Sequence, residues 1–269
     1  MKPAPFGFVS ASALTDVARV FAGSGGARVM AGGQSLGPML NLRVARPETI
    51  VSILGLPNLG AVEETADAVT VGACITHAQI ADGLIPDIGQ NVLPRIAQGI
   101  AYRAVRNRGT IGGSLCHADP AADWLCTLTA LGATILAVRQ ADGKPPRRRA
   151  IPLSRFVAGA FRNVLDSGEI VEAVRIPRLA PDARWGYFKA CRKPGEFAHA
   201  MVAALRAPQS GFRRAVIGAV GGPPLILEGA DCEPEAAERI LGDASTGLDA
   251  IGRHMQVVAL KRALAMAGP

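Results

Sequence analysis

The sequence predicts an α+β chain, with short strands and helices mixed along its length and a change of character near Arg178. Three observations predict it. Apolar residues at helical spacing alternate with short β-rich runs, the first of two glycine-rich segments follows directly on a predicted strand, and a linker-like stretch, Arg178-Leu179-Ala180-Pro181-Asp182, follows Pro177. With 269 residues, 49% of them hydrophobic and 19% charged, the chain has the length of one large domain or two ordinary ones and can bury a core. Aromatic residues are only 4%, so Ala, Val, Leu and Ile must fill much of that core.

In chain order, Leu14–Ala22 has helical spacing, with Leu14, Val17, Ala18 and Phe21 on one face and Thr15-Asp16 suited to a first turn. Arg28–Ala31 reads as a strand entering the first glycine segment, and Glu48–Leu54 as a strand closed by Gly55-Leu56-Pro57. Ala68–Ala73 alternates as a strand, and Thr76–Ile80 opens a helix in which His77 reads as a first-turn surface residue. Val92–Ile100 has helical spacing and leads through the basic stretch Tyr102–Arg108 into the second glycine segment. Asp123–Leu131 reads as an apolar helix, with strands at Ala133–Val138 and Ile170–Ile176. Beyond residue 178, Trp185–Ala190 and Arg214–Val220 read as strands, Gly221–Pro224 as a turn, and the remainder from Pro234 as helical.

The net charge is +7, but the positive residues are scattered apart from Arg147-Arg148-Arg149 after the turn Gly143-Lys144-Pro145-Pro146. This run reads as a solvated hairpin face. It lacks the aromatic or glycine interleaving of a nucleic-acid surface, so no nucleic-acid partner is expected. The five cysteines (Cys74, Cys116, Cys126, Cys191, Cys232) are odd in number, widely spaced and free of any C-x-x-C pair. That pattern argues against a disulfide framework and against a structural zinc or an iron–sulfur cluster held by this chain, so no metal ligand is assigned. With no apolar signal region and no run of about 18 apolar residues, a cytoplasmic protein without a membrane span is expected.

The chemistry concentrates in two segments, Ala31-Gly32-Gly33-Gln34-Ser35-Leu36 and Thr110-Ile111-Gly112-Gly113-Ser114. Paired glycines permit positive φ and bring backbone N–H groups close together, and a nearby hydroxyl adds a donor; the result is a concave anion site that needs no lysine. Neither segment matches the dinucleotide fingerprint G-x-G-x-x-G or a P-loop. Singly, each reads first as an ordinary tight turn.

These residues resemble the FAD-binding medium subunit of molybdenum hydroxylases, a group that includes the carbon monoxide dehydrogenase medium subunit and the flavin domain of xanthine dehydrogenase. The resemblance is carried by Val29–Leu36, Arg108–Ser114, Ala118–Asp123, Glu169–Pro177, Tyr187-Phe188-Lys189, Gly195–Ala198 and the last helix around Arg253-His254 and Leu260–Leu264. It implies a domain over residues 1–177, built of two α+β subdomains (about 1–55 and 56–177) of the vanillyl-alcohol oxidase-like type. A C-terminal domain over 178–269, with a three-stranded antiparallel sheet and helices, would follow.

The resemblance also implies roles. Ala31 to Leu36 and Thr110 to Ser114 would hold the FAD pyrophosphate, Asp123 the ribityl or ribose hydroxyls, and Val171 a wall near adenine or flavin. Lys189 would lie near the flavin and favour its anionic reduced form through Coulomb attraction. Phe197 stands where the family often has Tyr, beside the isoalloxazine. The implied function is electron transfer: FAD would receive electrons from the [2Fe-2S] clusters of a small subunit and pass them to an external acceptor. A large subunit would carry the molybdenum cofactor, and the assembly would be a dimer of heterotrimers. No catalytic acid, base or nucleophile is expected here, because the cofactor carries the chemistry. The alternative is a stand-alone flavin-dependent oxidase or reductase of the same broad fold.

Overall fold

The structure is a computed structural model and describes residues 2–141, 144–243 and 246–268. The first residues build a small parallel unit: β1 (Gly7–Ser10), α1 (Leu14–Gly23), β2 (Ala27–Met30), α2 (Leu36–Asn41) and β3 (Thr49–Ser52). The sheet order is β1-β3-β2, with Gly7 to Ser10 and Ala27 to Met30 both in parallel register on Thr49 to Ser52. The start of α1 is held by Asp16, whose carboxylate accepts from the Ser12 N–H at 2.9 Å and the Ala13 N–H at 3.1 Å. Those bonds favour the ionised form and hold the Asp16 carboxyl below its ordinary pKa.

The middle of the chain comprises β4 (Val62–Glu64), β5 (Ala68–Gly72), α3 (His77–Ala81), α4 (Val92–Gln98), α5 (Arg103–Arg106), α6 (Ile111–His117), α7 (Asp123–Ala130), β6 (Thr134–Arg139), β7 (Arg147–Pro152), β8 (Val157–Gly159), β9 (Arg162–Asn163) and β10 (Glu169–Pro177). Its five-stranded sheet has the order β4-β5-β10-β6-β7 and is antiparallel throughout. The Arg147–Arg149 run lies in β7, where Arg148 pairs with Glu172 and Arg149 with Glu169. Gly143, at the tip of the expected turn, lies outside the described residues. Helix α3 opens with a reciprocal cap: Thr76 accepts from the Gln79 N–H, and the Gln79 side chain accepts from the Thr76 N–H.

The last part comprises β11 (Arg184–Ala190), β12 (Ala200–Ala207), β13 (Phe212–Gly218), β14 (Leu225–Glu228), α8 (Pro234–Asp243) and α9 (Ala250–Met266). Its sheet has four strands in the order β11-β12-β13-β14, which corrects the three-stranded expectation. The Gly-Gly-Pro-Pro turn returns the chain so that Leu225 to Glu228 extend the ladder on β13. Strand β12 went unread in the sequence because both of its faces are buried. Ala200, Val202 and Ala204 pack with α8 and α9, while Met201, Ala203 and Leu205 pack into the core of the middle region. A strand covered on both sides shows no alternation to read.

Candidate functional site

The first glycine segment leaves β2 where the Ile53 N–H donates to the Met30 carbonyl, and turns at Gly33, whose φ of +73° is a region that L side chains rarely adopt. Gly33 then accepts from the Gly37 N–H, starting α2. Among the described residues, no backbone carbonyl accepts from the Gly33, Gln34 or Ser35 N–H. Gln34 and Ser35 are exposed, and the Ser35 hydroxyl forms no cap bond to α2. This segment therefore presents free donors.

The second segment is built differently. Its donors are spent inside the protein: Ile111 N–H on the Ile75 carbonyl, Gly112 N–H on that of Ala73, Gly113 N–H on the Thr110 hydroxyl and Ser114 N–H on the Thr110 carbonyl. Thr110, Ile111 and Gly112 are buried, whereas Gly113 and Ser114 are half-buried. Gly112 is a close-packing residue, because a Cβ there would stand 2.5 Å from the Ala73 Cβ and 2.8 Å from its carbonyl oxygen.

The fold brings the two segments together. A Cβ on Gly32 would lie 1.8 Å from the Arg108 carbonyl oxygen, and one on Gly113 would lie 3.9 Å from the Ala31 Cβ. Only glycine at position 32 permits this approach of main chain to main chain.

A second constellation surrounds Asp123. Its carboxylate is buried at the start of α7 and accepts from Lys189 Nζ at 3.0 Å on each oxygen and from the Tyr187 hydroxyl at 2.7 Å on Oδ1. Tyr187 and Lys189 stand two apart on β11 and so share a face. Burial, reinforced by the Asp123 charge, pushes the Tyr187 phenol well above its ordinary pKa and keeps it a donor. The group opens on a cleft of about 330 Å³ that Arg95, Gly99 and Gly195 also line. A neighbouring cleft of about 540 Å³, lined by Gln98, Tyr102, Arg103, Arg106 and Lys193, shares Pro194 and Gly195 with it. Gly195, at φ +88°, fits against the Ala101 carbonyl, 2.7 Å from where a Cβ would stand.

His77 joins the two regions. It is 6% exposed, which corrects the surface reading. Its N–H donates to the Gly109 carbonyl, its ring packs on Gly109, and its Nδ1 accepts from Trp124 Nε1 at 3.1 Å. Burial, with the Arg106 charge nearby, lowers its pKa to about 4, so the ring is neutral near pH 7. The signal for its burial was its place after a capping threonine, with Ala78, Ile80 and Ala81 on the same short helix all buried.

Of the residues singled out in the sequence, the two glycine segments meet, and Asp123 meets Lys189. Val171 lies in the core beside a bulge in β10, and Phe197 is 62% exposed; neither lines the two clefts. Tyr187 received no role from the sequence, although its spacing from Lys189 was the sign of a shared strand face. Among the described residues there is no group of three or more His, Cys, Asp or Glu able to hold a metal, and no helix long and apolar enough to cross a membrane.

Residues 4–179 match the family model described as the FAD binding domain in molybdopterin dehydrogenase. The chain is 34% identical, over 91% of its length and 80% of the relative's, to the 6-hydroxypseudooxynicotine dehydrogenase complex subunit alpha of Paenarthrobacter nicotinovorans. It is 32% identical, over 88% of its length and 85% of the relative's, to the nicotine 6-hydroxylase medium subunit of the same organism. Among solved structures it superposes with a TM-score of 0.88 and 26% identity on a chain of carbon monoxide dehydrogenase from Hydrogenophaga pseudoflava, in a form lacking the Mo-pyranopterin moiety of the molybdenum cofactor; the match covers 99% of this chain and 98% of that one.

Proposed function

The chain belongs to the family of FAD binding domains in molybdopterin dehydrogenases, and on that premise we propose how it works as the medium, FAD-binding subunit of such an oxidoreductase complex. It takes electrons from [2Fe-2S] clusters on a small partner subunit and passes them to an external acceptor, while a large subunit holds the molybdenum cofactor; the assembly is a dimer of heterotrimers. The division into residues 1–177 and 178–269 accompanies this reading, supported by a family match that ends at residue 179.

The observation that carries the reading is the contact of Gly32 with Arg108 and Gly109, which sets free donors next to a segment whose Ile111 to Ser114 N–H groups are all bonded within the protein. These residues fit a diphosphate. The Gly33, Gln34 and Ser35 N–H groups and the Ser35 hydroxyl donate to it, with Ala31 and Leu36 at the margins. Gly113 and Ser114 border it, and Thr110, Ile111 and Gly112 hold that border in place. An ionised carboxylate has about four lone-pair sites. Lys189 and Tyr187 occupy three on Asp123, so Oδ2 keeps a site for a hydroxyl of the cofactor's sugar chain. Lys189 places a positive charge at the cleft and Phe197 offers an exposed ring for stacking, while Val171, buried in the core, supports the wall only from behind. When bound, FAD supplies the one- and two-electron chemistry.

The test is a titration of the isolated chain with FAD, followed by visible absorption and flavin fluorescence. One FAD per chain is expected. A chain that neither carries nor takes up FAD overturns the reading. Mixing the flavin-loaded chain with its reduced iron–sulfur partner tests the electron route, which fails if the flavin band does not bleach.

A further inference from the structure

We propose that Tyr187 is a positioning residue that sets the flavin's reduction potential: by donating to Asp123 Oδ1 it draws charge from that carboxylate and leaves Lys189 a net cation toward the cofactor. This rests on the placement of FAD beside Lys189 proposed above. Asp123 and Lys189 alone form a closed ion pair, with Nζ 3.0 Å from both oxygens. In a low-dielectric cleft such a pair is nearly neutral toward a third charge. The phenol at 2.7 Å breaks that balance, because it fills the remaining site on Oδ1 and competes with Lys189 for the same carboxylate.

The geometry is held from behind. A Cβ on Gly186 would stand 1.9 Å from the Ala263 carbonyl oxygen, so α9 lies directly on β11 and fixes the height of its side chains. Gly186 and Tyr187 pair in register with Ala204 and Ala203 on β12, and Met201 Sδ lies 3.8 Å from the phenol oxygen. Arg95, from α4, is the other charged side chain lining this cleft.

Reduction adds two electrons and one proton to FAD and leaves a net negative charge on the ring. A less compensated Lys189 stabilises that product, so weakening the phenol's donation lowers the potential and strengthening it raises the potential. The chain has only two tyrosines, Tyr102 and Tyr187. Global 3-fluorotyrosine labelling in a Tyr102→Phe background therefore places a stronger donor at position 187 alone.

The experiment uses the full chain loaded with FAD. It measures bound FAD per chain and the midpoint potential by dithionite titration against a reference dye, for the unaltered chain, Tyr187→Phe, Lys189→Gln and the fluorotyrosine protein. Tyr187→Phe is expected to weaken reduction by roughly threefold to tenfold, the latter about 30 mV for a two-electron couple. Lys189→Gln should weaken it further, and fluorotyrosine should strengthen it relative to Tyr102→Phe alone. If Lys189→Gln binds FAD with an unchanged potential, the placement of the flavin is wrong. If Lys189→Gln shifts the potential but Tyr187→Phe leaves it unchanged or raises it, the role of Tyr187 is wrong and the placement stands. Should Tyr187→Phe lose FAD, the fluorotyrosine protein decides alone, and no rise overturns the proposal.

Discussion

The two glycine segments read alike as sequence, yet they are opposites in structure. Among the described residues no acceptor meets the Gly33 to Ser35 N–H groups, whereas Ile111 to Ser114 bond theirs to Ala73, Ile75 and Thr110. One segment is a set of donors, and the other is the wall it rests on. Glycine is used for conformational freedom at Gly33 and for closeness at Gly32 and Gly112. A single motif can thus divide into a part that offers donors and a part that supports. Substitutions should separate the two by which property fails first.

The largest expected effect is that of Gly112→Val. Its side chain meets Ala73 main-chain atoms at 2.8–2.9 Å, and these cannot move aside. About 4 kcal/mol of stability should be lost, measured by denaturant unfolding of the FAD-free chain; a normal midpoint would show that the wall is softer than described.

Next comes acid. His77 is neutral in the folded chain with a pKa near 4, against an ordinary 6.5. Unfolded chains take up its proton first, so its contribution is fully present above about pH 6.5 and is lost as pH falls toward 4, roughly 3 kcal/mol in all. Because the ring packs on Gly109, the second segment should loosen with it. His77→Gln should flatten the stability profile in this window, and an equally steep profile in the variant would remove His77 as the cause.

Gly33→Val should leave the fold largely intact, at a cost of about 1–2 kcal/mol for a left-handed backbone. FAD should nonetheless bind about 100-fold more weakly, or about 2.7 kcal/mol. Equal losses of stability and affinity in Gly33→Val and Gly112→Val would erase the distinction between the segments. Thr110→Ala removes the acceptor of the Gly113 N–H and should cost about 1 kcal/mol in stability, read by urea unfolding. Ser35→Ala is the mildest: stability should not change, and FAD affinity should fall a few-fold, for a lost hydrogen bond of about 0.5–1.5 kcal/mol.

Much of the fold was legible. The helix expected at Leu14–Ala22 spans Leu14–Gly23, and the apolar run from Asp123 forms α7. These segments carry their own period and start signals. Strand β12 was illegible because alanine has little β preference and both faces are covered. The fourth strand of the last sheet was hidden behind a glycine-proline turn whose return direction depends on what β13 offers for pairing. In the site, Asp123 and Lys189 were singled out 66 residues apart, and the fold joins them at 3.0 Å. Tyr187 and His77 were missed because their meaning lies in partners distant in sequence, Asp123 and Trp124.

By itself the sequence determined the family, the glycine positions where the chain can turn left-handed, and the start of α3. Those depend on residue type and on neighbours within four positions. Only the tertiary structure decided which glycine segment keeps its N–H groups free, because that depends on whether Ala73 and Ile75 come within reach. It also decided that a half-buried phenol, an ammonium and a carboxylate share one cleft. Hydrogen bonds and ion pairs act over about 3 Å, and no local pattern in the sequence specifies which distant groups arrive at that distance.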